Sequence, residues 1–187
     1  MKNVYEECPS FEGENYLIRK LDKNDLNDLL AIYSDKKAVP FFNSDNCHGD
    51  DFYYATKERV QQAIDFWEDS YANGYFVRWS VVDKKKNAVV GTIEAFHREA
   101  EDYFNNTGLI RLDLRSDYEK RDCIVEVMQL IEKDFFDLFY CDKLATKGFP
   151  SSAERIEALK QLHYAKSDEF LVGSYDKYLD YWEKCKK

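Results

Sequence analysis

Between Gly108 and Tyr164 the chain runs through strand, loop, helix, strand and helix, an order that few architectures accommodate. Leu109 to Leu114 reads as a strand, Ser116 to Asp122 as a tight polar loop, and Cys123 to Tyr140 as a long amphipathic helix. Along that helix Ile124, Val127, Met128, Ile131, Phe135 and Leu138 recur on one side, the spacing of a buried stripe. Lys143 to Thr146 reads as a second strand, and Pro150-Ser151-Ser152 opens a further helix. A strand that feeds a helix through a tight loop aims free N–H groups and the positive end of the helix dipole at one point. That is an anion site, and a second strand-to-helix junction beside it makes a cleft. The loop nonetheless holds no glycine, the residue that lets backbone approach a ligand most closely.

The remaining elements are read from the same periodicities. Tyr16 to Leu21 is a strand, and Leu26, Leu29, Leu30 and Tyr33 mark a helix that Asp22 or Asn24 can cap. Val60, Ala63, Ile64, Trp67 and Tyr71 mark a second helix, capped by Thr56 and ended by Asn73-Gly74. Tyr75 to Val82 and Ala88 to Phe96 form a hairpin across the lysine-rich turn 83–87, a solvated connection, and Asn106 to Leu114 adds a third strand. Ser151 and Glu154 have capping-box spacing for the last helix, whose stripe is Ile156, Leu159 and Leu162. Lys177 to Trp182 reads as a final strand, with an optional short one at Glu169 to Val172. No linker or repeat divides residues 1–187, so one α+β domain is expected, with a mainly antiparallel sheet and one parallel pair flanking the long helix.

Composition narrows the function classes. A hydrophobic content of 44% with 16% aromatics supplies a packed core, while a net charge of −9 argues against nucleic acid or an anionic membrane as partner. No signal-peptide core and no membrane-length apolar run is present, so a cytoplasmic location is expected. Five cysteines without a Cys-x-x-Cys fit reduced thiols.

Several stretches together resemble the GNAT superfamily of acyl-CoA-dependent N-acetyltransferases, in the branch similar to ribosomal-protein N-terminal acetyltransferases. They are Tyr16-Leu17-Ile18-Arg19 with the following 31–39, Val90-Gly91-Thr92-Ile93, Val125-Glu126-Val127 and Leu144 to Arg155. The resemblance implies a mixed sheet of about six or seven strands flanked by about four helices, with a V-shaped splay between the two central parallel strands. It implies acetyl-CoA as co-substrate, with the family's phosphate loop falling on Asp117 to Asp122. Lys120 and Asp122 stand at that loop's two glycine positions, and Ser152, Arg155 and His163-Tyr164 depart from the family's usual residues on the last helix. Cofactor contacts are then expected from Leu112, Leu114, Lys120, Arg121, Asp122, Cys123 and Ile124, with Lys120 and Arg121 pairing directly with phosphate.

Acetyl transfer to an amine needs a base, a donor for the carbonyl oxygen and an acid for the leaving thiolate. The resemblance places Glu94 and Asp113 as candidate bases, the bland alternative being carboxylates on a solvent-facing side of the strands. Ser152 is a candidate partner for the thiol or merely a helix cap, and Tyr164 a candidate acid or merely a core ring. His97 is a weaker base candidate, and His48 beside Cys47 is read as surface loop because no second ligand pair exists, leaving no metal site. The acidic, aromatic stretch Val39 to Tyr54 is either an acceptor rim suited to a cationic amine or peptide N-terminus, or a self-packed lid. The leading expectation is acetyl transfer to an amine-bearing small molecule or peptide by direct attack, in a monomer or homodimer. The alternatives are a degenerate member serving as a binding or interaction module, and an enzyme of this fold using another acyl or aminoacyl donor.

Overall fold

In a computed structural model describing residues 3–186, the alternation of side chains along three central strands sets the whole design. In chain order the strands and helices are β1 (Phe11–Glu12), β2 (Tyr16–Lys20), α1 (Leu26–Tyr33), α2 (Lys57–Ala72), β3 (Val77–Asp83), β4 (Ala88–Arg98) and β5 (Thr107–Leu114). They continue with α3 (Arg121–Leu138), β6 (Lys143–Lys147), α4 (Ala153–Gln161), β7 (Ala165–Lys166), β8 (Leu171–Val172), β9 (Lys177–Tyr178) and β10 (Tyr181–Cys185). One sheet has eight strands in the order β1-β2-β3-β4-β5-β6-β10-β7, and β8 pairs with β9 separately. All neighbours in the large sheet are antiparallel except β5 and β6.

Period-two alternation divides β3, β4 and β5 into an apolar and a polar set. Val77, Trp79, Val81, Ile93, Ala95, Ile110, Leu112 and Leu114 pack with Ile124, Val127, Met128, Ile131 and Phe135 of α3 in the main core. Arg78, Ser80, Thr92, Glu94 and Asp113 alternate with them, yet all five are buried. A second cluster explains how, since Leu29, Ile32 and Tyr33 of α1 join Val60, Ala63, Ile64 and Trp67 of α2 with Phe42, Phe52 and Tyr54. The solvent-facing alternative for Glu94 and Asp113 is therefore excluded, because helices cover both faces of the sheet.

The expected elements are present with instructive shifts. Thr56 caps α2 by accepting from the Arg59 N–H, and Asp22 caps a short 3-10 turn ahead of α1. The long helix starts at Arg121, so Arg121 and Asp122 lie in its first turn rather than in the loop. The proposed capping box on α4 does not form: Ser152 is the cap position without a side-chain cap bond, and Ser151 is exposed. The expected C-terminal strand is two strands, β9 and β10, broken at Asp180, whose φ is 66°.

The splay is present. Pairing between β5 and β6 runs from Thr107–Lys143 to Ile110–Thr146 and then stops, so Arg111 to Leu114 continue without a β6 partner. Gly91 lies beside this opening, and a Cβ there would come within 2.6 Å of the Asp113 carbonyl oxygen and 3.2 Å of Leu114 Cα. Gly91→Ala must push β5 away from β4, at a cost of about 1–3 kcal/mol. Thermal unfolding should show Tm lowered by roughly 2–4 °C per kcal/mol, and an unchanged Tm would mean that β4 and β5 are not held this closely.

Candidate functional site

Cross-strand register turns the polar set into a ladder of charges. Arg78 on β3 lies opposite Glu94 on β4, which lies opposite Arg111 on β5, and Thr92 lies opposite Asp113. Arg78 donates through Nη2 to Glu94 Oε2, and Arg111 Nη1 donates to Glu94 Oε1 at 2.6 Å. Arg78 Nη1 also reaches Tyr33 Oη at 2.8 Å, Thr92 Oγ1 at 3.0 Å and Asp113 Oδ2 at 3.4 Å, while its guanidinium lies 4.1 Å from the Trp67 ring centre. Tyr33 donates to Asp113 Oδ2 at 3.2 Å, and Asp113 Oδ1 has no partner although it is buried. The ladder continues at Asp45, whose carboxylate accepts from Lys147 and from the Tyr181 hydroxyl at 3.0 Å.

The two carboxylates sit in opposed electrostatic settings. Burial pushes Glu94 up, but Arg111 and Arg78 outweigh it and hold the group below the usual range. For Asp113 burial wins over Arg78 and Arg155, with Glu94 adding repulsion, so its affinity for a proton is raised. Paired acids driven apart in this way are how one site keeps a fixed anion beside a proton acceptor.

Beside the polar face lies a cavity of about 390 Å³, walled by Phe52, Tyr54, Phe66, Trp67 and Phe76. Glu94 and Arg111 line it together with Asp50 and Arg59, so it is edged by two ion pairs.

At the splayed end, the β5–α3 loop dispenses with glycine because it never enters the left-handed region. Lys120 has φ −128°, Asp122 is helical, and no residue from 115 to 122 is among those with positive φ. Arg115 N–H donates to the Val90 carbonyl and Ser116 N–H to Asp35 Oδ2, fixing the loop to β4 and to the segment after α1. Glu119 turns inward and forms a double bond pair with Arg155 of α4, Nε–Oε1 and Nη2–Oε2 both at 2.7 Å, with both side chains buried. Glu154, the neighbouring residue, accepts from the Arg121 N–H at 2.9 Å. The carboxylate assigned by sequence to cap α4 thus sits at the mouth of α3.

The residues expected in the site fall into three groups. Leu112, Asp113 and Leu114 lie on the stretch of β5 that faces the opening, and Glu94 sits one strand away on β4, joined to Asp113 through Arg78. Lys120, Arg121 and Asp122 gather at the mouth of α3 with exposed side chains, whereas those of Cys123 and Ile124 belong to the core. Ser152 donates to the Phe149 carbonyl at 2.6 Å, and Tyr164 lies in the main core beside Glu132, its proton held tightly by burial. His97 Nδ1 is 2.6 Å from the Phe139 carbonyl oxygen, and His48 meets the Tyr175 ring edge-on and lines the aromatic cavity. Arg78 and Glu119 were missed; a charged residue between Val77 and Trp79 in a strand of apolar neighbours was the available signal for the former.

The opposed carboxylates predict opposite pH slopes. Glu94 has a lowered folded-state pKa, so its contribution is present above the ordinary Glu range and lost as pH falls. Asp113 has a raised one, so its contribution is fullest in acid and declines as pH rises through the folded value. In urea titrations from acid to neutral pH, the stability lost by Glu94→Gln should grow with pH and that lost by Asp113→Asn should shrink. Parallel slopes for the two variants would contradict the assignment.

Comparison with known proteins agrees with this geometry. The sequence profile described as Acetyltransferase (GNAT) domain matches residues 15–163. No curated protein sequence matches significantly. Among solved structures, a GNAT-family acetyltransferase from Bacillus anthracis superposes with TM-score 0.65 at 15% identity, covering 94% of this chain and 96% of that one. The ribosomal-protein-S5-alanine acetyltransferase from Vibrio fischeri gives 0.63 at 17% identity, covering 95% and 96%. A ribosomal L7/L12 α-N-protein acetyltransferase solved with coenzyme A gives 0.69 at 10% identity, covering 95% and 98%. Among the described residues no helix is long and apolar enough to cross a membrane. With a family profile spanning most of the chain and a splayed sheet of the same architecture, this protein belongs to the GNAT acetyltransferase family.

Proposed function

We propose that the protein transfers an acetyl group from acetyl-CoA to an amine by direct attack, using a donor groove that its own side chains bridge. The observation that carries this reading is the end of β5–β6 pairing at Ile110 and Thr146, which leaves Arg111 to Leu114 as an open edge beside the mouth of α3. Backbone groups of Leu112 and Leu114 supply partners for an extended acyl chain and its thioester carbonyl, where hydrogen bonds stabilise the developing oxyanion. Lys120 and Arg121 supply the charges for the pyrophosphate, with the N–H groups of Asp122 and Cys123 in the first turn behind them, while the Ile124 N–H is already spent on the Lys120 carbonyl. Asp113, with an unpartnered oxygen and a raised proton affinity, takes the amine proton, and Glu94 stays ionised as the fixed anion. Ser152 would reach a leaving thiolate only by leaving the Phe149 carbonyl, and Tyr164 carries a buried hydroxyl without a hydrogen-bond partner in the main core. Two of the similar solved structures are ribosomal-protein acetyltransferases, which makes a peptide amine one acceptor class.

A second reading, a retained fold that binds without acyl-CoA turnover, is favoured by the same groove. Glu154 already fills the anion position on the Arg121 N–H, and the Glu119–Arg155 pair joins the loop to α4. Calorimetry with acetyl-CoA and with free CoA separates the two. Under the enzyme reading the parent binds both, Glu154→Gln and Asp122→Gly each strengthen binding by about tenfold, and Lys120→Ala with Arg121→Ala weakens it by a similar factor. Absence of binding by the parent and by both gain-of-affinity variants would overturn acyl transfer and leave the binding module.

A further inference from the structure

We propose that the aromatic cavity beside the sheet takes a free α-amino acid with a large apolar side chain, which on the acyl-transfer reading is the amine acceptor. The case rests on which polar groups in the wall are already spent. Asp50 accepts at Oδ1 from the Phe52 N–H at 2.8 Å, and at Oδ2 from the Tyr54 hydroxyl at 3.0 Å and from Arg59 Nη2. Glu94 has one guanidinium on each oxygen. The carboxylates of the cavity are thus engaged.

Its guanidiniums are not. An arginine carries five N–H donors, and Arg59 spends a single side-chain bond on Asp50, with Nε and Nη1 unbonded among the described residues. Arg59 is held in place rather than floppy, because its guanidinium lies 4.1 Å over the Tyr54 ring, and 39% of its side chain is still open to solvent. Arg111 likewise spends Nη1 on Glu94 and Nη2 on the Asp45 carbonyl at 2.8 Å, leaving Nε. What the wall still lacks is an acceptor, and a planar guanidinium is matched best by a carboxylate.

Two further features narrow the class. Asp50 and Glu94 balance Arg59 and Arg111, so the lining carries no formal net charge and suits a ligand that is itself neutral overall, as a zwitterion is. Phe66 and Phe76, with ring centres 6.0 Å apart, and Trp67 form an apolar wall that a hydrophobic side chain would cover. Phe66 is 61% exposed, so part of this wall is open to an incoming side chain. A peptide N-terminus offers the amine and the side chain but carries an amide where the carboxylate is needed.

The test uses ligands that differ in one group, measured on the full chain by calorimetry without any acyl donor. L-Phenylalanine should bind at least about tenfold more tightly than phenethylamine, which lacks only the carboxylate, and than L-phenylalaninamide. Arg59→Gln should remove that preference, weakening L-phenylalanine by about tenfold relative to phenethylamine. Equal or tighter binding of phenethylamine or the amide to the parent protein overturns the proposal, as does no detectable binding of L-phenylalanine, and neither outcome depends on whether the variant folds. Amino-acid binding in a protein that fails to bind acetyl-CoA would sink acyl transfer and keep this site. Acetyl-CoA binding without amino-acid binding would do the reverse.

Discussion

A guanidinium shut away from water beneath two helices is the constraint around which the polar half of this protein is built. Arg78 is buried at the centre of the sheet, and such a charge is tolerated only where partners replace its hydration almost completely. Glu94, Asp113, Thr92 and Tyr33 do so for both Nη groups from β4, β5 and α1, Nε staying unpartnered, so one side chain ties three elements to β3. That replacement is what lets the helices cover the sheet's second face. Without Arg78, two carboxylates would face each other under Tyr33 and Trp67 with no cation between them.

The same ladder joins the aromatic cavity to the splayed edge. Glu94 faces the cavity, Asp113 lies one step along toward the opening, and Arg155 acts on Asp113 from the far side while bound to Glu119. Charges at the two ends of the site are thus linked through a chain of buried pairs rather than through solvent, and low-dielectric surroundings make each link sensitive to the next. Movement of the β5–α3 loop would be felt electrostatically at Asp113 through Arg155.

Much of this fold was legible because helix and strand periodicities are local. The stripe of α2, the hairpin β3–β4 and the parallel pair around α3 needed only spacing and caps. What was not legible depends on register. Arg78, Glu94 and Arg111 are separated widely in sequence and become neighbours only because β3, β4 and β5 align them across the sheet. Glu154 was misplaced for a related reason: its spacing from Ser151 fits a cap on its own helix, but the mouth of α3 lies nearer and offers an N–H to its carboxylate. Resemblance to a family supplied Glu94 and Asp113 but no hint of the arginines that hold Glu94 ionised or of the burial that raises the proton affinity of Asp113.

Both edges of the eight-stranded sheet are two-residue strands, β1 and β7. An edge strand exposes a row of unsatisfied donors and acceptors on which another chain can pair. Here that row is cut to a stub on each side, and β7 is Ala165-Lys166, carrying a charge in half its length. Val77–Asp83 and the first half of Thr107–Leu114 lie inside, paired on both sides, and within β5 only the short stretch from Arg111 to Leu114 at the splay keeps an open edge. Self-association into extended sheet should therefore require prior unfolding of the interior, so that the protein's resistance to aggregation is set by its global stability rather than by fraying at the margins.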